Sequence, residues 1–205
     1  MASEQVSNSA FERAWKWAEQ RLSPERLTHT RGVFAAAKEL ADRYAVDQGK
    51  TGLAAILHDT AKNLGAADLL SLAAEAGIIV NIVQQQAPDL LHGPVAAVLA
   101  RRELGIADES VLQAIARHTT GAPGMTDLDK VLYLADYIEP GRTFPGVQSV
   151  RQAARQDLDR AVLQAMDGTL RYVIDRGWLI DPLTVEARNW LLNGLRAAGK
   201  GGAVK

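Results

Sequence analysis

The sequence predicts an all-α protein of about eight helices packed as one bundle. Three observations carry this. Apolar residues recur at three- and four-residue spacing along almost the whole chain. Serine, aspartate or threonine stands as a cap ahead of several of these segments. No stretch alternates apolar and polar residues as a half-buried strand would, and no internal repeat is visible.

Phe11, Ala14, Trp15, Ala18 and Leu22 place the first helix over residues 9–22. Ser23-Pro24 reads as the cap and first residue of a second helix, which runs to about 44. His29, Val33, Ala37, Leu40 and Tyr44 share one face of it, so His29 points inward. The third helix, over 48–62, carries the run Leu53-Ala54-Ala55-Ile56-Leu57 straight into His58-Asp59 and, one turn later, Lys62. A fourth helix over 66–76 is stopped by Gly77, and 78–86 reads as a short helical turn. Residues 88–94 form a loop, with His92 at the mouth of a fifth helix that continues to about 104. Asp108 caps a sixth helix that buries Val111, Leu112 and Ile115 and ends at His118 before a Gly-rich loop. Thr126 caps a seventh through 138. Leu128, Leu132 and Asp136 are four apart in it, so Asp136 extends an apolar face. Glu139-Pro140-Gly141-Arg142 breaks the chain. A single long helix over 148–176 is expected next, then a connector over 178–184 and a last helix over 185–198. One domain thus spans 9–198, between a flexible N-terminus (1–8) and a disordered tail (199–205).

Composition narrows the chemistry. The formal net charge is -1, which gives no footing for DNA binding or an electrostatic membrane contact. The chain has no cysteine, so disulfides and thiolate metal sites are excluded and His, Asp and Glu remain as side-chain ligands. No apolar run approaches the ~18 residues of a membrane span, and the polar first residues lack a signal-peptide core. A cytoplasmic protein is expected. Trp15 or Trp17, read as exposed, would favour a homodimer.

All four histidines, His29, His58, His92 and His118, fall on apolar helix faces or at helix ends beside Gly or Pro. Read alone, His58-Asp59 fits either a packed histidine beside a solvated aspartate or a pair facing a metal at a cleft wall. Placement of all four histidines, with Asp59 and Asp136 on apolar surfaces, favours the second. Imidazoles and carboxylates without thiolate suit Fe, Mn, Zn or Ni rather than Ca. Arg142 follows a Pro-Gly break that can aim its fork at phosphate oxygens, although a solvated loop arginine fits there too. Lys62 likewise fits either a phosphate contact or a solvated helix end.

The ordered set His29, His58-Asp59, His92, His118 and Asp136 resembles the signature of the HD superfamily of metal-dependent phosphohydrolases. The flanking words Thr28-His29-Thr30, His58-Asp59-Thr60-Ala61-Lys62, Leu91-His92-Gly93, His118-Thr119-Thr120-Gly121 and Ala135-Asp136-Tyr137-Ile138-Glu139-Pro140, with Arg142, resemble its YqeK-type branch, the bacterial symmetrical diadenosine tetraphosphatases. The resemblance covers about residues 10–195. It implies an HD-domain helical bundle, bound iron for which Mn, Ni, Co, Zn or Mg can substitute, and cleavage of diadenosine tetraphosphate to two ADP. It implies His29, His58, Asp59 and Asp136 as metal ligands, with His29, Asp59 and Asp136 also bordering the substrate. His92, His118, Arg142 and Lys62 would contact phosphates. Leu179, Ile180, Asp181, Pro182, Leu183, Thr184 and Asn189 match a stretch lining the nucleoside end, where Asp181 itself has no chemical role. In this reading Asp59 orients the attacking water, Lys62 adds positive charge, and His92 or His118 assists the leaving group. The competing readings are another HD phosphohydrolase, such as a nucleotidase or cyclic-nucleotide phosphodiesterase, and a non-catalytic nucleotide-sensing module.

Overall fold

A computed structural model describes residues 2–199, with side chains from residue 9 onward, and these residues form helices and no strand. The order is α1 (Ala2–Glu19), α2 (Pro24–Arg43), α3 (Gln48–Leu57), α4 (Ala66–Glu75), α5 (Ile82–Gln86), a 3₁₀ turn (Pro88–Leu91), α6 (His92–Leu104), α7 (Glu109–Arg117), α8 (Asp127–Ile138), α9 (Val147–Ala153), α10 (Leu158–Asp175) and α11 (Pro182–Ala197). Met1, the side chains of residues 2–8 and residues 200–205 lie outside this description, and with them most of the expected tail; α1 begins at Ala2, within the segment expected to be a flexible N-terminus.

The core is built around α8. Leu128, Val131, Leu132, Tyr133, Leu134 and Ala135 are all buried, so this helix is apolar around its girth. Helices α2, α3, α7 and α10 pack against it, α6 packs on α7, and α1 seats Ala14, Trp17 and Ala18 beside α3. Ile56, Leu57, Ile115, Leu132, Leu134 and Met166 are fully buried. Each such side chain contributes roughly 1.5–3 kcal/mol. Stability therefore rests on this core, which leaves the chain free to keep an electrostatically costly cluster of polar groups at its edge.

The expected caps form. The Ser23 hydroxyl accepts from the Arg26 amide, the Asp108 carboxylate from the Ser110 and Val111 amides, and Thr126 makes a reciprocal capping box with Asp129.

Several expected elements differ. The third helix stops at Leu57 rather than reaching Lys62. From His58 onward the amides turn tightly, Thr60 N to Leu57 O and Lys62 N to Asp59 O, and the Thr60 hydroxyl donates back to Leu57 O at 2.7 Å. The 88–94 segment is a 3₁₀ turn leading directly into α6 rather than an open loop. The single long helix over 148–176 is two helices. Asp157 caps α10 through the Arg160 amide, and the Ala154 and Arg155 carbonyls freed at the break accept from Tyr44 (2.8 Å) and Arg43 (3.2 Å), at the end of α2. The last helix starts at Pro182, with Asp181 as its cap. The bundle thus has eleven α-helices among the described residues, against the eight expected. The tryptophans that suggested a homodimer are not exposed: Trp17 is buried, and Trp15 packs edge-on against Phe34.

Candidate active site

Five helices deliver the predicted residues to one place. His29 comes from α2, His58 and Asp59 from the turn after α3, His92 from the first turn of α6, His118 from the end of α7 and Asp136 from the last turn of α8. The early stop of α3 is what makes this work. On a continued helix His58 and Asp59 would point about 100° apart; in the turn both are buried. Gly93 brings the α6 end close. A Cβ there would lie 3.0 Å from Ile115 O, 3.1 Å from Ala116 O and 3.2 Å from His118 Nδ1. Two of those atoms are backbone of α7, so any larger residue would push His92 and His118 apart.

Asp59 stands at the centre. Its Oδ2 lies 3.7 Å from His58 Nε2 and 3.8 Å from His29 Nε2. Its Oδ1 lies 3.2 Å from His92 Nε2 and 3.6 Å from His118 Nε2. His29 Nε2 is also 3.0 Å from Asp136 Oδ1. Backbone carbonyls set the rings. His58 Nδ1 faces Ala55 O at 2.7 Å, His118 Nδ1 faces Ile115 O at 2.8 Å, and His92 Nδ1 faces Asp89 O. A carbonyl only accepts, which assigns the proton to Nδ1 in each ring and leaves Nε2 as a lone pair aimed into the cluster.

The cluster needs a cation. The Nε2 atoms of His29 and His58 are buried with no aligned hydrogen-bond partner. His92 Nε2 and His118 Nε2 face one another at 3.0 Å, and the Thr119 hydroxyl, 3.2 Å from each, has only one proton to give. Burial pushes His58 down to about 4, so it is neutral near pH 7, and burial lowers His92 as well. Burial also opposes charge on His29, but Asp136 and Asp59 outweigh it and raise its pKa. For Asp59 burial favours the neutral acid, yet the surrounding His58, His118 and His92 hold its pKa well below the ordinary carboxylate range. Asp136 is likewise lowered, with His29 opposing the effect of burial. Arg26 and Arg142 each reach one of the two ionised carboxylates from the cavity side, but no aligned hydrogen-bond partner among the described residues meets the bare Nε2 atoms of His29 and His58, and a positive ion among them would use those lone pairs together with the carboxylates. The geometry offers three overlapping sets, His29–His58–Asp59, His58–His118–Asp136 and Asp59–His92–His118, whose ligand atoms lie within 4.8 Å of one another.

The cluster opens on a cavity of about 730 Å³ bordered by Asp59, His92, His118 and Asp136. Lys62 and Arg142 line it too, each holding an acid: Lys62 Nζ lies 2.7 Å from Asp89 and 3.3 Å from His92 Nδ1, and Arg142 donates to Asp136 Oδ1 at 3.0 Å. The predicted nucleoside stretch does not border this cavity, although α11 packs on the loop after His118, where a Cβ at Gly121 would lie 3.0 Å from that of Ala187. Residues 179–184 and Asn189 are not among those lining the cavity. Asp181 is occupied structurally, accepting from the Leu183 amide and from Asn81 and Gln84 of the neighbouring turn.

Two residues of the site went unassigned in the sequence. Arg26 lines the cavity and donates to Asp59 Oδ2 at 3.2 Å. Its signal was only that it sits three residues before His29, near one turn of helix. Glu139 is buried, with Oε1 at 3.2 Å from His29 Nδ1, while its Oε2 accepts from the Gly141 amide. A carboxylate behind the far nitrogen of a ligand histidine orients the ring and raises its basicity. Glu139→Gln is expected to weaken metal binding by about 10- to 100-fold, measured by competition with a chelating dye; unchanged affinity would leave Glu139 a purely structural brace.

Comparison with known proteins agrees with this geometry. Residues 26–141 match the HD domain. The chain is 41% identical over 183 residues to the symmetrical bis(5'-nucleosyl)-tetraphosphatase of Bacillus subtilis (strain 168), covering 89% of this chain and 98% of that protein. It is 36% identical to the enzyme of the same name from Staphylococcus aureus (strain NCTC 8325 / PS 47), covering 88% and 93%. A crystal structure described as a predicted HD superfamily hydrolase involved in NAD metabolism, from Clostridium acetobutylicum, superposes with a TM-score of 0.87 at 38% identity, over 90% of this chain and 97% of that one. The chain belongs to the HD domain family and, within it, to the family of the symmetrical bis(5'-nucleosyl)-tetraphosphatases.

Proposed function

We propose that this protein hydrolyses diadenosine tetraphosphate symmetrically to two ADP. The observation that carries the proposal is the convergence of two ionised carboxylates and bare imidazole nitrogens on one wall of a cavity whose rim bears guanidinium and ammonium groups. His29, His58, Asp59 and Asp136 would hold a divalent ion, iron by family resemblance, with Mn, Ni, Co, Zn or Mg as substitutes. Such an ion supplies Lewis acidity and a water of lowered pKa when bound.

The chain's own groups supply the rest. Arg142 and Lys62 bring positive charge to a polyphosphate that carries several negative ones. Arg26 steadies the Oδ2 of Asp59, which leaves Oδ1 on the His92 side to orient the attacking water. The water oxygen bonds to a phosphorus beside the central bridging oxygen, that P–O bond breaks, and ADP departs with the bridging oxygen. The Nε2 atoms of His92 and His118 are bare in the neutral rings and 3.0 Å apart, so the pair could share one added proton and hand it to that oxygen. Cleavage at the central bridge gives the same product from both halves.

The Asp59–His92–His118 set favours a second reading in which those histidines hold a second ion bridged by Asp59. Metal removal tests the shared basis of both. Exhaustive chelation is expected to abolish hydrolysis, and titration with Fe²⁺ or Mn²⁺ to restore it. Full activity in the stripped protein would refute metal dependence.

A further inference from the structure

One wall of the cavity belongs to a helix that none of the assigned residues uses. Gln164, Gly168, Arg171, Tyr172 and Asp175 of α10 all line it. Their spacing of three and four puts them on one helical face, a row about 16 Å long at the usual rise per residue. That is long enough for a chain of phosphates and the nucleoside beyond it.

Three features of this wall point to a ligand. The first is charge. Arg26, Lys62 and Arg142, the other cavity cations, each contact an acid at 2.7–3.2 Å. Arg171 has no hydrogen-bond or ion-pair partner among the described residues, so its guanidinium is the uncompensated positive charge of the cavity. The second is the aromatic pair. Tyr137 and Phe144 both line the cavity, with rings edge to face at 4.9 Å and 77°. Arg142 and Arg171 line the same cavity as this aromatic pair. The third is Gly168. A Cβ at this position would lie 2.2 Å from the Tyr137 hydroxyl. The bare backbone of α10 is what lets the ring lie along the wall.

We propose that Arg171 and the Tyr137–Phe144 pair form a subsite for the second nucleotide of a dinucleoside polyphosphate, the guanidinium taking its phosphates and the aromatic pair its base. The proposal rests on the hydrolase reading above and deepens it: the polar cluster engages the attacked half of the substrate, and the α10 wall holds the departing half. Arginine suits a phosphate by its planar fork, and an aromatic face suits a purine because stacking needs no particular hydrogen-bond pattern.

The test is binding of the diadenosine tetraphosphate analogue with a methylene group in place of the central bridging oxygen, followed by calorimetry on the metal-loaded protein. Arg171→Ala is expected to raise the Kd of this analogue about 10- to 100-fold while changing the tighter ADP Kd less than about twofold. Gly168→Ala, which keeps the arginine and displaces Tyr137, is expected to weaken the analogue about tenfold with the same ADP control. An analogue Kd within twofold of wild type in both variants would overturn the subsite. So would an equal loss of ADP affinity in Arg171→Ala, which would move the arginine to the attacked half. A wild type that binds the analogue but leaves diadenosine tetraphosphate intact would defeat the hydrolase reading alone, with the subsite still decided by the Kd ratios.

Discussion

The His58→Ala and Asp59→Ala proteins are expected to emerge without metal and to lose at least about 1,000-fold in kcat, the scale of removing a central catalytic group. His58 is fully buried, its Nδ1 tied to the Ala55 carbonyl and its Nε2 left bare. No other hydrogen-bonding task accounts for that nitrogen. Asp59 sends one oxygen to each pair of histidines, so its loss disconnects both halves of the cluster. A site with so few charged ligands has little redundancy. Alanine at 58 also leaves a hole in the core, so His58→Gln and Asp59→Asn accompany the alanine variants, and circular dichroism separates misfolding from loss of metal. Near-normal metal content and turnover in folded His58→Ala would make the stretch around it a packing element only.

The second large effect concerns His92 and His118. His92→Asn and His118→Asn are each expected to keep roughly the wild-type metal content and to lose on the order of 10- to 1,000-fold in activity, the range for removing a supporting group or one charge-stabilising donor. Their Nε2 atoms face each other 3.0 Å apart and are 3.2 and 3.6 Å from Asp59 Oδ1. Two lone pairs at that distance repel unless something positive lies between them. In the mononuclear reading it is a proton that moves to the departing oxygen; in the binuclear reading it is a second ion. Metal per chain measured beside kcat and KM separates these. A wild type with about two ions, falling to about one in either variant, would make both histidines ligands and reject the mononuclear assignment.

How much of this could be read from the sequence depends on the range of the forces involved. The six residues of the cluster were visible because each breaks an apolar face or sits beside Gly or Pro, and both marks are local. The end of α3 was not visible. Ala54 to Lys62 contains no breaker, and the helix stops because packing favours His58 and Asp59 turning inward together. The division of the expected 148–176 helix was hidden for a similar reason. Its freed carbonyls are satisfied by Tyr44 and Arg43, more than a hundred residues away in the chain. Arg26 and Glu139 carry no role in the sequence reading, and their roles appear only once α2 lies beside the turn after α3 and the end of α8. Asp181, which has no chemical role in the sequence reading, caps α11 and ties it to Asn81 and Gln84; its Asp-Pro helix start is like that at Ser23-Pro24, yet the sequence reading begins that helix only at 185. Nothing in the sequence singles out Arg171, Tyr172 and Asp175 of α10; only the cavity gives them a common direction.

If this cluster acts as proposed, it splits a dinucleoside tetraphosphate at its central bridge. The most direct test is product analysis by anion-exchange chromatography after the metal-loaded protein has acted on diadenosine tetraphosphate. ADP is expected as the sole nucleotide product, two per substrate consumed. ATP and AMP in equal amounts would contradict it.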